Sequence, residues 1–210
     1  MADLAALSAA IEAGDRATAV RVTTEAVAEE MDPRVVLNAM ISAMQVVGAR
    51  FQDGDIFVPE MLIAARAMKE ATAILAPVLT AAGVRPEHTA VIGTIQGDLH
   101  DIGKNLVGMM WKGANIEVVD LGVNVTPEAF ANAAREHNAE IVGISALLTT
   151  TMVAMKDAVA AVRAAGLDGV KVIVGGAPVT AEFAASIGAD GYAPDAGAAV
   201  GAAKAALGMA

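Results

Sequence analysis

The feature of this chain best equipped for chemistry is one imidazole between two carboxylates. His100 stands in the stretch Gly97-Asp98-Leu99-His100-Asp101-Ile102-Gly103-Lys104-Asn105. A carboxylate two residues before an imidazole can hold one ring nitrogen. That fixes the tautomer and leaves the other nitrogen with its lone pair outward, as in metal-bound histidines backed by a carboxylate. Two plainer readings stand beside this one. His100 could be a hydrogen-bonded surface histidine, and Asp98 could be the N-cap of the helix that follows. Gly97 and Gly103 allow tight turning and close approach of something large to the backbone.

The flanking residues position this loop. The apolar run Thr89-Ala90-Val91-Ile92-Gly93-Thr94-Ile95 reads as a buried strand, and Leu106-Val107-Gly108-Met109-Met110-Trp111 reads as the body of a helix. His100 therefore belongs to a strand-to-helix loop at the carboxyl end of a strand, the edge where open α/β sheets bind ligands. From about residue 87 onward, strand and helix patterns alternate. Strands are predicted at 89–95, 116–121, 140–146, 171–175 and 190–193, and helices at 103–113, 127–138, 150–165, 180–187 and 196–208. Five parallel strands with crossover helices imply a doubly wound α/β sheet covered on both faces. Three more loops fall on the same edge as His100. They are Ser145-Ala146-Leu147-Leu148-Thr149-Thr150-Thr151, Gly175-Gly176-Ala177-Pro178 and Tyr192-Ala193-Pro194-Asp195-Ala196-Gly197. Hydroxyls and bare backbone there suit a bulky polar tail, although a glycine pair alone is an ordinary turn signal.

Ahead of this half, the pattern is helical throughout. Asp3 to Ala13 reads as a short helix ended by Gly14, and Asp15 is placed to cap a second helix to about Glu30. Asp32-Pro33 opens a third, with Val36, Met40, Ala43, Met44, Val47 and Phe51 on one stripe. Pro59 opens a fourth, with Met61, Ala65, Met68, Thr72, Leu75 and Leu79 on one face and Pro77 placed to kink its last turns. Four such helices with short connections predict an antiparallel bundle. The Met-rich stripe reads as bundle core, or alternatively Phe57-Val58-Pro59-Glu60-Met61 faces a flat apolar ligand on the neighbouring domain. The expected division is a helical domain over 1–86 and an α/β domain over 87–210.

Composition narrows the classes. A 56% apolar content supports a sizeable core, yet no apolar run approaches the roughly 20 residues of a membrane span. The net charge of -10, without a basic cluster, argues against nucleic acid and anionic membranes as partners. The absence of cysteine excludes disulfides, thiolate metal sites and cysteine nucleophiles. No phosphate-binding P-loop or Gly-x-Gly-x-x-Gly sequence follows the first strand. The acidic start without a basic-then-apolar leader makes a cytoplasmic protein the expectation.

Three pieces in order, Asp98-x-His100-x-x-Gly103, Ser145-x-Leu147 and Gly175-Gly176, resemble the signature of cobalamin-binding domains of the methionine synthase and corrinoid methyltransferase type. Phe57-Val58-Pro59 in the helical half is similar to the family's cap, so the resemblance covers nearly the whole chain. It implies a four-helix cap followed by a flavodoxin/Rossmann-like cobalamin-binding domain. It also implies cobalamin (methylcobalamin or a related corrinoid) as cofactor, with His100 as the lower axial cobalt ligand and Asp98 hydrogen-bonded to it. The hydroxyl of that relay falls on Thr151, where the family pattern has serine. Gly97, Leu99, Asp101, Ile102 and Gly103 would belong to the cofactor site. Ser145, Leu147 and Thr149 would line the pocket of the nucleotide tail. Gly175, Gly176 and Ala177 would leave it room, and the loop with Tyr192 and Ala196 would close it. Phe57 and Met61 would cover the methyl face, with Gly83–Glu87 as hinge.

The implied role is a methyl carrier without a complete active site of its own. A substrate-specific methyltransferase for methylamines, methanol or aromatic methyl ethers would load it. A second methyltransferase would unload it to a folate or thiol, and a reductive activation protein would be the third partner. Two alternatives within cobalamin chemistry are the binding subunit of an adenosylcobalamin-dependent mutase and a cobalamin-sensing regulator. The implied cap would obstruct the first, and the acidic helical half lacks a DNA-reading face for the second.

Overall fold

The computed structural model describes residues 2–84, 86–167 and 169–208. Arg85, inside the segment expected to act as a hinge, lies outside the described residues. The chain divides into two compact units, residues 1–86 with 113–115, and residues 87–112 with 116–210.

The first unit is built by four helices, α1 (Leu4–Ala13), α2 (Arg16–Ala28), α3 (Pro33–Gln52) and α4 (Val58–Ala81). Their starts follow from short acidic caps. Asp3 accepts from the amides of Ala5 and Ala6, Asp15 from Thr18 and Asp32 from Arg34, which satisfies donors that the first turn leaves open. At α4 the Glu60 carboxylate reaches back to the Phe57 amide at 3.0 Å. The helices pack α1 on α2 and α3, and α4 on α2 and α3. The expected stripe of α3 is buried except for Phe51, which is half-buried. On α4 the buried row is Met61, Ala64, Ala67, Met68, Ala71, Leu75 and Leu79. Ala65 and Thr72, expected on that face, are only half-buried, because the buried row turns toward Ala64, Ala67 and Ala71 on the other side of Met61 and Met68. The helix starts at Val58, one residue before Pro59, and continues through Pro77 to Ala81.

The second unit is a five-stranded parallel sheet in the order β2-β1-β3-β4-β5. Its strands are β1 (His88–Thr94), β2 (Ile116–Asp120), β3 (Ile141–Ser145), β4 (Lys171–Gly175) and β5 (Gly191–Ala193). Between and after them run α5 (Ile102–Gly113), α6 (Pro127–Glu136), α7 (Met152–Ala164), α8 (Ala181–Ser186) and α9 (Ala196–Leu207). Alternate strand residues face opposite layers. Val91, Val142, Val172 and Val174 pack with Phe130 of α6 and Met155, Val159 and Val162 of α7. Ala90, Ile92, Ile141 and Ile173 pack with Trp111 of α5 and Ala199 and Ala203 of α9. The Trp111 indole N–H donates to the Ala199 carbonyl at 2.9 Å, tying α5 to α9. This is the doubly wound sheet expected from the alternation.

Candidate functional site

The strand order makes the site. β1 is followed outward by β2, and the chain then returns to lay β3 on the other side of β1. At such a switch point the loops leaving the two central strands diverge and open a crevice. One of these loops carries His100, and the other runs from Ala146 to Thr151.

Asp98 joins them. Its side chain is fully buried, 0% exposed. One carboxylate oxygen accepts the His100 ring Nδ1 at 2.6 Å and the His100 amide at 3.0 Å. The other accepts the amides of Leu147 at 2.7 Å and Leu148 at 3.1 Å, and faces the Thr151 hydroxyl at 3.2 Å. That hydroxyl also lies 2.8 Å from the Leu148 carbonyl, so its single proton is shared between two acceptors. Asp98 is therefore not a helix cap. Helix α5 starts only at Ile102, and the donors on Asp98 come from loops. Because a carboxylate only accepts, the ring proton sits on Nδ1 and Nε2 keeps its lone pair. The His100 side chain is 53% exposed, and its Nε2 has no hydrogen-bond partner among the described residues.

Burial alone would raise the Asp98 carboxyl. The amide of Leu147, the amide and ring of His100 and the amide of Leu148 outweigh it and hold the group well below the usual carboxylate range. Its contribution to stability is then complete above the unfolded-state value of about 4 and disappears as pH falls through the lower folded value. Below about pH 4 the denaturant midpoint of wild type should fall faster than that of Asp98→Asn, so that the two converge in stronger acid. Midpoints that kept their separation in the strongest acid in which both variants fold would contradict this assignment.

The loop is also held from a third side. Asn124, at φ 55°, accepts the Gly97 amide at 2.8 Å through its side chain and donates its own amide to the Asp98 carbonyl at 3.1 Å. The buried Thr94 hydroxyl donates to the His100 carbonyl at 2.8 Å.

Other expected site residues fall as follows. Gly97, Asp101 and Gly103 are exposed, and the Asp101 carboxylate accepts the Asn105 side-chain amide at 3.1 Å. Leu99 and Ile102 flank His100 with 72% and 73% of their surfaces open, an expensive display of apolar side chains for a loop with nothing to bind. Leu147 is exposed too, and Thr149 stands exposed in a 3₁₀ turn over Thr149–Thr151 that precedes α7. Ser145 ends β3, half-buried, and its carbonyl accepts the Ile95 amide at 2.9 Å. Gly175 ends β4, and a Cβ there would stand 2.6 Å from the Ala193 carbonyl oxygen. At Gly176, with φ 123°, a Cβ would stand 1.9 Å from the Ala146 carbonyl oxygen. Only glycine lets these three strand ends approach so closely. Ala177 is exposed. Tyr192 lies half-buried within β5, paired with Val174, while Ala196 is buried as the first residue of α9. Phe57 and Met61 belong to the helical unit, Phe57 exposed at the start of α4 and Met61 buried.

Residues 88–201 and 4–76 each match a family of B12 binding domains. Trimethylamine corrinoid protein 2 of Methanosarcina acetivorans is 41% identical over 197 residues, 92% of this chain and 91% of that protein. The chain belongs to the corrinoid proteins of methyltransferase systems. Solved structures agree. A cobalamin-binding protein from Desulfitobacterium hafniense DCB-2 superposes with a TM-score of 0.82 at 31% identity, covering 98% of this chain and 99% of that one. The methanol:cobalamin methyltransferase complex MtaBC from Methanosarcina barkeri contains a chain that superposes with a TM-score of 0.86 at 28% identity. That match covers 99% of this chain and 80% of the other.

The donor set of this corrinoid protein fits its cofactor. Among the described residues no cluster of three or more histidine or acidic side chains could hold a bare metal ion. A corrin brings its own ring nitrogens, so the protein would need to offer only a single donor, and the half-exposed His100 ring has Nε2 available for that part. No helix of the described residues is long and apolar enough to cross a membrane.

Two parts of the site escape a reading of the sequence. The amides of Leu147 and Leu148 act through the backbone, which no side-chain pattern announces. Lys104 looks like a solvated charge, yet it is buried at 3% exposure and its ammonium bonds both oxygens of Asp120 at 2.7 and 2.6 Å. An apolar neighbourhood on both sides of it, Ile102-Gly103 and Leu106-Val107, was the available signal.

Proposed function

We propose that this protein carries a methyl group on the cobalt of its corrinoid between two partner enzymes. A substrate-specific methyltransferase loads it, and a second methyltransferase passes the group to a folate or thiol, with a reductive activation protein as third partner. Similarity to a trimethylamine corrinoid protein and to a methanol methyltransferase complex supports methylamine or methanol as the donor class. The observation that carries the reading is the half-exposed imidazole whose Nδ1 proton is locked on a buried carboxylate, with Nε2 free at the mouth of the crevice.

When bound, the corrinoid supplies a cobalt centre able to accept and release a methyl group. His100 would hold the metal through Nε2, and Asp98 keeps the Nδ1 proton and the ring angle in place. Leu99, Ile102 and Leu147 present apolar surface that keeps water from the ring. Ser145, Thr149, Gly175, Gly176 and Ala177 provide hydroxyls and bare backbone along the edge where the nucleotide tail would pass.

Reconstitution with hydroxocobalamin tests this. Wild-type protein should retain stoichiometric cobalamin with the cofactor's own base displaced. His100→Ala should shift the absorption spectrum and lose methyl transfer by more than about tenfold. An unchanged spectrum with unchanged transfer would remove His100 from the account.

A further inference from the structure

We infer that Lys104 is a positioning residue for His100, acting through the turn between β2 and α6. The inference rests on the reading of His100 as the axial donor. Lys104 lies in the first turn of α5, directly after the His100 loop. Its ammonium has three protons and three close acceptors, the two Asp120 oxygens and the Asn105 side-chain oxygen at 2.6 Å. Asp120 is the last residue of β2, and its Oδ1 also accepts the Gly122 amide at 2.9 Å, which closes the turn. Five hydrogen bonds join residues 121–125 to β1 and its loop, two of them between the Leu121 amide and the Ile92 carbonyl and between the Val125 amide and the Thr94 carbonyl. The Gly122 carbonyl accepts the Thr94 amide at 3.0 Å, the Asn124 amide donates to the Asp98 carbonyl, and the Asn124 side chain accepts the Gly97 amide. Thr94 in turn holds the His100 carbonyl.

The His100 loop is thus gripped at both ends by one segment, residues 120–125. At its exit the grip is Lys104 on Asp120, and at its entry it is Asn124 on Gly97 and Asp98. Burying an ammonium is unfavourable unless it is fully paired, and an apolar side chain would fill the same space without that penalty. A lysine here makes sense if direction, not volume, is what the position supplies. The ammonium fixes where Asp120 points, Asp120 fixes the Gly122 turn, and the turn fixes the backbone on which Asp98 and His100 meet. Burial would raise the Asp120 carboxyl, but its bonds to Lys104 and the Gly122 amide, with the nearby charges of Lys104 and Lys112, together outweigh that and keep it below its ordinary value.

The test compares wild type, Lys104→Met and Asp120→Asn as full chains. Imidazole nitrogen shifts of His100 without cofactor report its tautomer, and equilibrium dialysis against hydroxocobalamin reports retention. Wild type should show one tautomer, protonated at Nδ1. Lys104→Met should show a tautomer mixture and weaken retention on the order of tenfold, the size seen when an outer partner of a ligating histidine is lost. Asp120→Asn keeps one acceptor oxygen and should fall between the two, and it decides the matter if Lys104→Met does not fold. A folded variant with lower thermal stability but a single Nδ1-protonated tautomer and full retention would overturn the positioning role. Failure of wild type itself to place a nitrogen on cobalt would instead overturn the reading of His100.

Discussion

Asp98→Asn should fold, lose roughly 2–4 kcal/mol of stability and turn the His100 tautomer over, leaving Nε2 protonated and unable to ligate. The carboxylate accepts on both sides, from His100 on one oxygen and from Leu147, Leu148 and Thr151 on the other. An amide can accept on one side only. If its NH2 faced Leu147 and Leu148, two backbone donors that cannot change would be stranded, at about 1–3 kcal/mol each. Facing His100, it strands one backbone amide, and the ring relieves the second conflict by moving its proton from Nδ1 to Nε2. The second orientation wins. Imidazole nitrogen shifts should report the exchange, and guanidinium titration should report the loss. A variant with wild-type tautomer would show that something other than Asp98 sets the ring.

Gly176→Ala should be the most damaging single methyl group in the α/β unit. Its Cβ would lie 1.9 Å from the Ala146 oxygen and 3.2 Å from the Ala146 nitrogen, and neither is free to retreat. The Ala146 amide is bonded to the Gly175 carbonyl at 3.1 Å, and Ala146 itself is fully buried. Backbone strain at φ 123° adds about 1–3 kcal/mol, and forced overpacking adds a similar about 1–3 kcal/mol. The displaced strand ends would also narrow the edge where the tail is expected to pass, so cobalamin retention should fall with stability. Gly201→Ala is the control. It lies inside α9 with nothing within 4 Å of its added Cβ, and it should stabilise by about 0.5–1 kcal/mol. Equal thermal melting of the two variants would contradict the packing described for the glycine pair.

The sheet was legible because its signals are strong and local. Continuous Val- and Ile-rich runs mark strands buried on both faces, and β4 over Lys171–Gly175 has the limits its pattern predicts. β1 starts and ends one residue before its predicted limits, with an isolated bridge between Ile95 and Val125 just past its end, and β2 ends one residue early. The Asp98–His100 contact was legible because a spacing of two on a tight loop brings the carboxylate beside the ring. The closest-packed row of α4 was less so. Its large residues Met61, Met68, Leu75 and Leu79 are buried as expected, but alanine carries a weak hydropathy signal, which does not separate the buried Ala64, Ala67 and Ala71 from Ala65. The 3₁₀ turn at Thr149–Thr151 was hidden because it rests on the Thr151 amide and hydroxyl both bonding back to the Leu148 carbonyl, contacts that no periodicity encodes. Lys104 was missed for the opposite reason. A charge reads as solvent-facing until the partner that buries it, Asp120 across the β2 end, is brought beside it by the fold.

The central claim is that His100 Nε2 faces cobalt while Asp98 holds Nδ1. Electron paramagnetic resonance of the cobalamin-loaded, one-electron-reduced protein tests it most directly, with histidine labelled by nitrogen-15. The account predicts that each cobalt line, split into a triplet by ordinary histidine nitrogen, becomes a doublet on labelling, and that the splitting disappears in His100→Ala. A triplet that survives histidine labelling would show the cofactor's own base on the metal and would contradict the account.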